Sequence, residues 1–343
     1  MIKQFTTLVM VLLALSSFSQ ELAVEHMKFF TTREQELSKK YMDYISQVAH
    51  GNRARKMEKR RQEVIAEIRQ SLNEATRLRP YKGDASLRDA YKTYWDILLK
   101  VFNEDYHKIV NMEEIAEQSY DQMEAYLLAQ EKAGEVLSDA QDDIEPVFNA
   151  FASKNNIRLV SNGESKLDKQ MRQVGLVNSY YHQLYLIFFK TYKQEAYVME
   201  ALNRKDVNGL EQNRTTLLKY AEEGLQKVDT MKAFKGDGSL VTACRKVLEF
   251  QKLEAANQLA GIGDFLLKND EFEKVKKAFD SKPASKRTQA DIDLYNKAVD
   301  EFNNAVQASN KLLAGMNGGR DKVMTNWDVT RKRFLEMHVP KSR

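Results

Sequence analysis

Residues Tyr81-Lys82-Gly83-Asp84-Ala85-Ser86-Leu87 return 153 positions later as Phe234-Lys235-Gly236-Asp237-Gly238-Ser239-Leu240. At the same offset, without gaps, Tyr44 falls on Tyr197, Arg61 on Arg214, Leu72 on Leu225 and Ala90 on Ala243. A chance heptapeptide match would not carry its register upstream for so long. The chain is therefore expected to build one supersecondary unit twice. The register is lost after about residue 100 and resumes as Phe151–Ile157 against Phe334–Pro340, now 183 positions apart. The second copy thus carries extra residues, and 269–288, containing DSKPASKR, is the expected place for part of them as an exposed loop.

The repeated unit is helical. Only 4 Pro and 14 Gly occur in 343 residues, about 5% together against roughly 12% in an average chain. With 30% charged and 43% hydrophobic residues, this composition excludes turn-dense β-sandwiches and points to long amphipathic helices with a coiled-coil stripe. In 291–313, Ile292, Tyr295, Val299, Phe302, Val306 and Leu313 recur at the spacing of a seam between antiparallel helices. Thr288 and Asp291 cap its start. Leu37, Tyr41, Tyr44 and Val48 repeat the pattern in 21–50, and Leu87, Tyr91, Tyr94, Leu98 and Val101 in 84–110. No window alternates as a half-buried strand does. The expected class is all-α.

The shared heptapeptide reads as a corner between helices. Gly83 and Gly236 supply the positive φ that closes one helix. Asp84 and Asp237 then accept from the free N–H groups of the next. Lys-Gly-Asp is also an adhesion tripeptide, but the corner role accounts for every residue. Each half becomes an elongated four-helix bundle, over 20–160 and 170–343. The boundary is expected where Asn155, Asn156, Ser161, Asn162 and Gly163 cluster.

Residues 1–19 read as an export address. Lys3 opens it, Leu8–Leu15 is an apolar run too short to span a bilayer, and Ser17 and Ser19 fit a cleavage site after Ser19. Nothing later approaches the length of a transmembrane helix. Cys244 is the one cysteine and lies at helical spacing between Leu240 and Val247, as a small buried hydrophobe does. The formal charge of +4 is small for this length and gives no sign of a nucleic-acid partner.

No motif for chemistry stands out. Of His26, His50, His107, His182 and His338, only His107 has a glutamate three residues before it, Glu104. A carboxylate-bridged di-iron bundle needs a second such pair, so solvated helix positions are the better account. Zinc-helix, nucleophile-elbow and P-loop patterns are absent from the sequence. Gly261-Ile262-Gly263 reads as a loosened or kinked helix. The basic run Arg53, Arg55, Lys56, Lys59, Arg60 and Arg61 reads as a solvated face. Tyr181, Tyr185, Phe188 and Tyr192 share one helical face, as core or as the lining of an apolar ligand groove.

Asn155–Leu159, the segment from Val177 to Leu202 and the closing Trp327…Phe334–Pro340 resemble the leptospiral-type exported surface proteins. The resemblance implies export and no established active site. Family members often carry a lipoprotein cysteine after the signal, where this chain has Ser19-Gln20. A periplasmic or secreted product is therefore expected. The expected function is a non-enzymatic interaction or structural module of the cell envelope, without cofactor or metal, acting on an envelope protein or lipid. A carrier of a small apolar ligand or lipid is the alternative.

Overall fold

The computed structural model describes residues 10–12, 18–50, 54–105, 116–161 and 165–341. Helix makes up 87% of the structure, and the class is all-α. The helices are α1 Phe18–His50, α2 Ala54–Arg77, α3 Ser86–Lys100, α4 Tyr120–Asp142, α5 Ile144–Lys154, α6 Lys166–Asn203, α7 Val207–Thr230, α8 Ser239–Leu253, α9 Leu259–Asp280 and α10 Gln289–His338. None among the described residues is long and apolar enough to cross a membrane. Wide π-helical turns follow α3, at Val101–Asp105, and α8, at Glu254–Gln258.

One feature escapes the helical pattern. Met10–Leu12 (β1) pairs antiparallel with Leu159–Ser161 (β2), Val11 opposite Val160. Three-residue strands are too short for alternation to show in a sequence. The helix α1 opens at Phe18, so the expected cleavage point after Ser19 lies in its first turn. The rest of the expected address, including Lys3, lies outside the described residues, as do His107, Asn162 and Gly163.

Two compact units divide the chain. One is Met1–His182 with Arg333–Arg343, the other Gln183–Lys332. The divisions fall inside α6 and α10, not at the Asn-rich cluster. In the first unit, Tyr180 stacks on Phe334 at 5.8 Å and Gln173 Nε2 donates to the His338 carbonyl at 3.1 Å, so both helix ends belong to that core. Ala23, Met27, Phe30 and Leu37 of α1 pack there against Ile65 and Ile68 of α2 and Tyr91, Trp95 and Leu98 of α3. Among the described residues five helices lie between residues 18 and 154, where one four-helix unit is expected. Proline is tolerated in a first turn but not in a helix interior, and the restart at Ile144 puts Pro146 in the first turn of α5.

In the second unit Val198, Leu210, Leu217, Leu259 and Met316 form one apolar cluster. The α9 helix runs to Asp280, so the exposed loop expected over 269–288 shrinks to the turn at 281–288. The reciprocal cap at its end is as expected: Thr288 N–H donates to Asp291 Oδ2 at 2.9 Å and Asp291 N–H to Thr288 Oγ1 at 3.3 Å. Gly261-Ile262-Gly263 lies at the start of α9, just after the second π turn, and is closely packed. Ile262 is buried, and a Cβ on Gly261 would stand 2.8 Å from Leu312 Cδ1.

The corners take the same form twice. Lys82 and Gly83 have φ of 50° and 82°, Lys235 and Gly236 50° and 90°, so each pair makes the two left-handed residues of a type I′ turn. Asp84 Oδ1 accepts from Ser86 N–H at 3.0 Å, and Asp237 Oδ1 from Ser239 N–H at 2.9 Å. The second Asp84 oxygen accepts from Lys154 Nζ at 2.6 Å, and these hydrogen bonds hold its carboxyl far below the usual range. Arg61 is another shared device. It lies on the buried stripe of α2 and donates through Nη1 to Phe102 O in the first π turn, while Nε and Nη2 bind Glu58. Arg214 does the same to Ala255 O at 2.9 Å in the second π turn, with Glu211 as its carboxylate. Arg61 is thus no part of a solvated face, although Lys56, Lys59 and Arg60 are exposed. The charge run hid it.

A widened helical turn can free a carbonyl from its usual i+4 donor, and in each of these two turns an arginine N–H bonds a carbonyl. Arg61→Met is expected to lower the unfolding free energy by about 1–3 kcal/mol in a urea titration followed by circular dichroism. Arg61→Lys recovers only part of the loss, because an ammonium lacks the planar fork that reaches carboxylate and carbonyl together.

Candidate functional site

Glu34 follows Phe30 by four residues and precedes Leu37 by three, so the stripe that builds the first core also turns its carboxylate inward. Tyr94 OH donates to Glu34 Oε1 at 2.8 Å. Glu34 Oε2 and the indole Nε1 of Trp95 are both buried with no other hydrogen-bond partner, and the indole N–H acts on the Glu34 carboxylate. Burial pushes Glu34 up to about 7, against the pull of Tyr94 and Trp95 and with help from the charge of Asp168. Burial, with the charge of Glu34, keeps the Tyr91 and Tyr94 phenols protonated. The carboxylate stands between two small cavities, of about 50 Å³ and 30 Å³, and lines both. The larger has aromatic walls from Tyr91, Tyr94 and Phe148, with Asp142 and Glu145 exposed at its edge. No basic side chain lines either one.

A second buried polar group sits in the other unit. Arg320 pairs through Nε with Glu195 and through Nη2 with Glu254. Gln251 Nε2 donates to Glu195 Oε2 at 2.8 Å. Burial and the adjacent Glu195 push Glu254 up to about 9, opposed by Arg320. Two carboxylates facing one guanidinium thus retain a proton near neutrality. Gln251 and Glu254 extend the stripe Leu240, Cys244 and Val247 of α8. A polar residue on an apolar stripe was the available signal both here and at Glu34.

The third feature is a helical arm. Between Leu267 and Asn304 no residue is buried. There α9 and α10 hold each other by a ladder of rings: Phe272 on Phe302 at 4.6 Å, Phe279 on Tyr295 at 4.4 Å, and the Arg287 guanidinium 4.1 Å from the Phe279 ring centre. These rings are only half covered, and Leu294 is 57% exposed.

The residues singled out by sequence have separate fates. Phe188 is buried and stacks on Trp327 at 4.5 Å. Tyr181 and Tyr185 are half-buried and Tyr192 is exposed, and none of the four lines the cavities beside Glu34. Glu104 is exposed on the first π turn. Among the described residues no group of three or more His, Cys, Asp or Glu is placed to hold a metal ion. Cys244 is fully buried, and burial pushes its thiol up to about 12. His182 is buried too, which pushes it down to about 4 and leaves it neutral.

No protein-family model, curated protein or solved structure matches this chain.

The raised carboxyl of Glu254 sets a pH dependence. Its folded form keeps a proton that the unfolded chain sheds near its ordinary value of 4.5. Stability from this group is therefore present in acid and is lost as pH rises toward about 9. Thermal melts between pH 6 and 9.5 should show a decline that Glu254→Gln largely removes.

Proposed function

We propose that this protein is an exported, non-enzymatic helical module that works by holding a partner in the cell envelope. Two related helical units form its body, and the arm of α9 and α10 is its contact surface. The observation that carries this reading is the arm itself. Two helices alone cover only one side of each apolar stripe, so Phe272, Phe279, Tyr295 and Phe302 stay half open over a long stretch. A helical partner laid along that seam would complete a bundle and bury them. The recurrence of the corner, the arginine and the π turn at one offset supports a duplicated body. The export setting rests on the sequence of residues 1–19 and on the resemblance to leptospiral-type surface proteins.

The carrier reading, with Tyr181, Tyr185, Phe188 and Tyr192 around an apolar ligand, has less support because Phe188 is spent on Trp327.

Cell fractionation with crosslinked pull-down tests the proposal. The chain is expected outside the cytoplasm with a reproducible protein crosslink. The double substitution Phe272→Asp and Phe302→Asp should lose that crosslink while circular dichroism keeps the helical signal of the body. Recovery only from the cytoplasm, or an undiminished crosslink in the double variant, would overturn it.

A further inference from the structure

We propose that the arm of α9 and α10 pairs with the arm of a second copy of this chain, the two α9 helices lying antiparallel across a twofold axis. The inference rests on the reading of the arm as contact surface and names what covers it. It starts from the order of charge along α9. Residues 270–277 read Asp-Glu-Phe-Glu-Lys-Val-Lys-Lys, acidic in the first half and basic in the second. A twofold contact sets one patch against itself, so the patch must be its own complement. Antiparallel copies centred near Glu273 and Lys274 meet that condition, because the acidic half of each helix lies along the basic half of the other. Parallel copies would set like charge on like.

Two explanations within the chain fail. An acidic residue four positions before a lysine stabilises a lone helix, and Asp270–Lys274 and Glu273–Lys277 have that spacing. Yet among the described residues none of the six charges has an ion-pair partner in the chain, although Lys282 pairs with Asp291 and Lys297 with Glu301 in the same arm. All six are exposed. The helix dipole favours acidic groups in the first turn only, and α9 opens at Leu259, well before Asp270.

The apolar surface fits the same pairing. Leu267, Glu271, Val275 and Ala278 recur at helical spacing on one flank of the stripe that carries Phe272 and Phe279. Leu267 is 50% exposed, and Ala278 is exposed too. In the antiparallel pair Leu267 meets the partner's Ala278, and Glu271 meets the partner's Lys274. Phe302 stacks on Phe272, which brings its neighbour Glu301 to the level of the axis. Lys297 already offsets that charge at 3.8 Å. Two helical hairpins joined in this way make a four-helix bundle, and the half-covered rings become its core. An unrelated helix would have to match this order of charge by coincidence, whereas a second copy matches it by construction.

Sedimentation equilibrium of the full chain is the test. A reversible two-chain species is expected, weakened several-fold as sodium chloride rises from about 0.05 M to about 0.5 M. An acidic variant carries Lys274→Glu, Lys276→Glu and Lys277→Glu, and a basic one Asp270→Lys, Glu271→Lys and Glu273→Lys. Each alone should self-associate about tenfold more weakly or worse, with helix content retained by circular dichroism. An equimolar mixture of the two should recover the two-chain species. A single-chain mass at every concentration, unchanged association in either variant, or two monomeric variants that do not pair would overturn the inference. The reading of the arm as contact surface fails separately. A crosslink to a different protein, abolished by Phe272→Asp with Phe302→Asp, would keep that reading and overturn this one.

Discussion

A helix that widens by one residue must find a donor for the carbonyl it frees, and in a packed core water cannot serve. In the two π turns among the described residues an arginine bonds a carbonyl, reaching from the neighbouring helix α2 or α7. Arg61 bonds Phe102 O and Arg214 bonds Ala255 O. Each arginine is held in turn by a glutamate three residues earlier, so its fork fixes the pairing of α2 with α3 and of α7 with α8. The Lys-Gly-Asp corner closes the other end of each pair. With both ends fixed, the apolar stripes between them have one register in which to pack. The Phe102 ring is thereby set edge-on against Tyr41 at 5.6 Å.

On the reading that one frame serves twice, what differs between the copies is where each departs from the frame. Glu34 corresponds to Ile187, while Glu195 and Glu254 correspond to Met42 and Val101. Each unit has exchanged apolar core positions for buried charge in a different place. Such exchanges cost stability unless every group finds a partner. In the second unit Arg320 supplies the partner inside the chain. In the first, the Tyr94 hydroxyl and the Trp95 indole act on Glu34.

Much of this was readable without coordinates, and the failures have identifiable causes. Helical periodicity gave the class, and the glycine and aspartate of the corner stand in the roles their chemistry suggests. Lys82 and Lys235 also take positive φ, which no side-chain rule for lysine announces. Arg61 was hidden among neighbours that are solvated. The helix through 269–280 was mistaken for loop because its lysines mask Phe272 and Phe279, which need the opposing α10 to count as a stripe. Pro146, in the first turn of α5, is the sequence mark of that helix start. Glu34 sat on a stripe whose apolar members drew the eye. In each case the missing information was the identity of the facing element.

The most direct measurement of the central claim is hydrogen exchange by mass spectrometry on Arg61→Met and Arg214→Met. The account predicts that Arg61→Met raises exchange in 98–105 with little change in 251–258, and that Arg214→Met does the converse, each without loss of helix elsewhere. Equal protection in all variants, or a loss spread evenly over the whole chain, would contradict it.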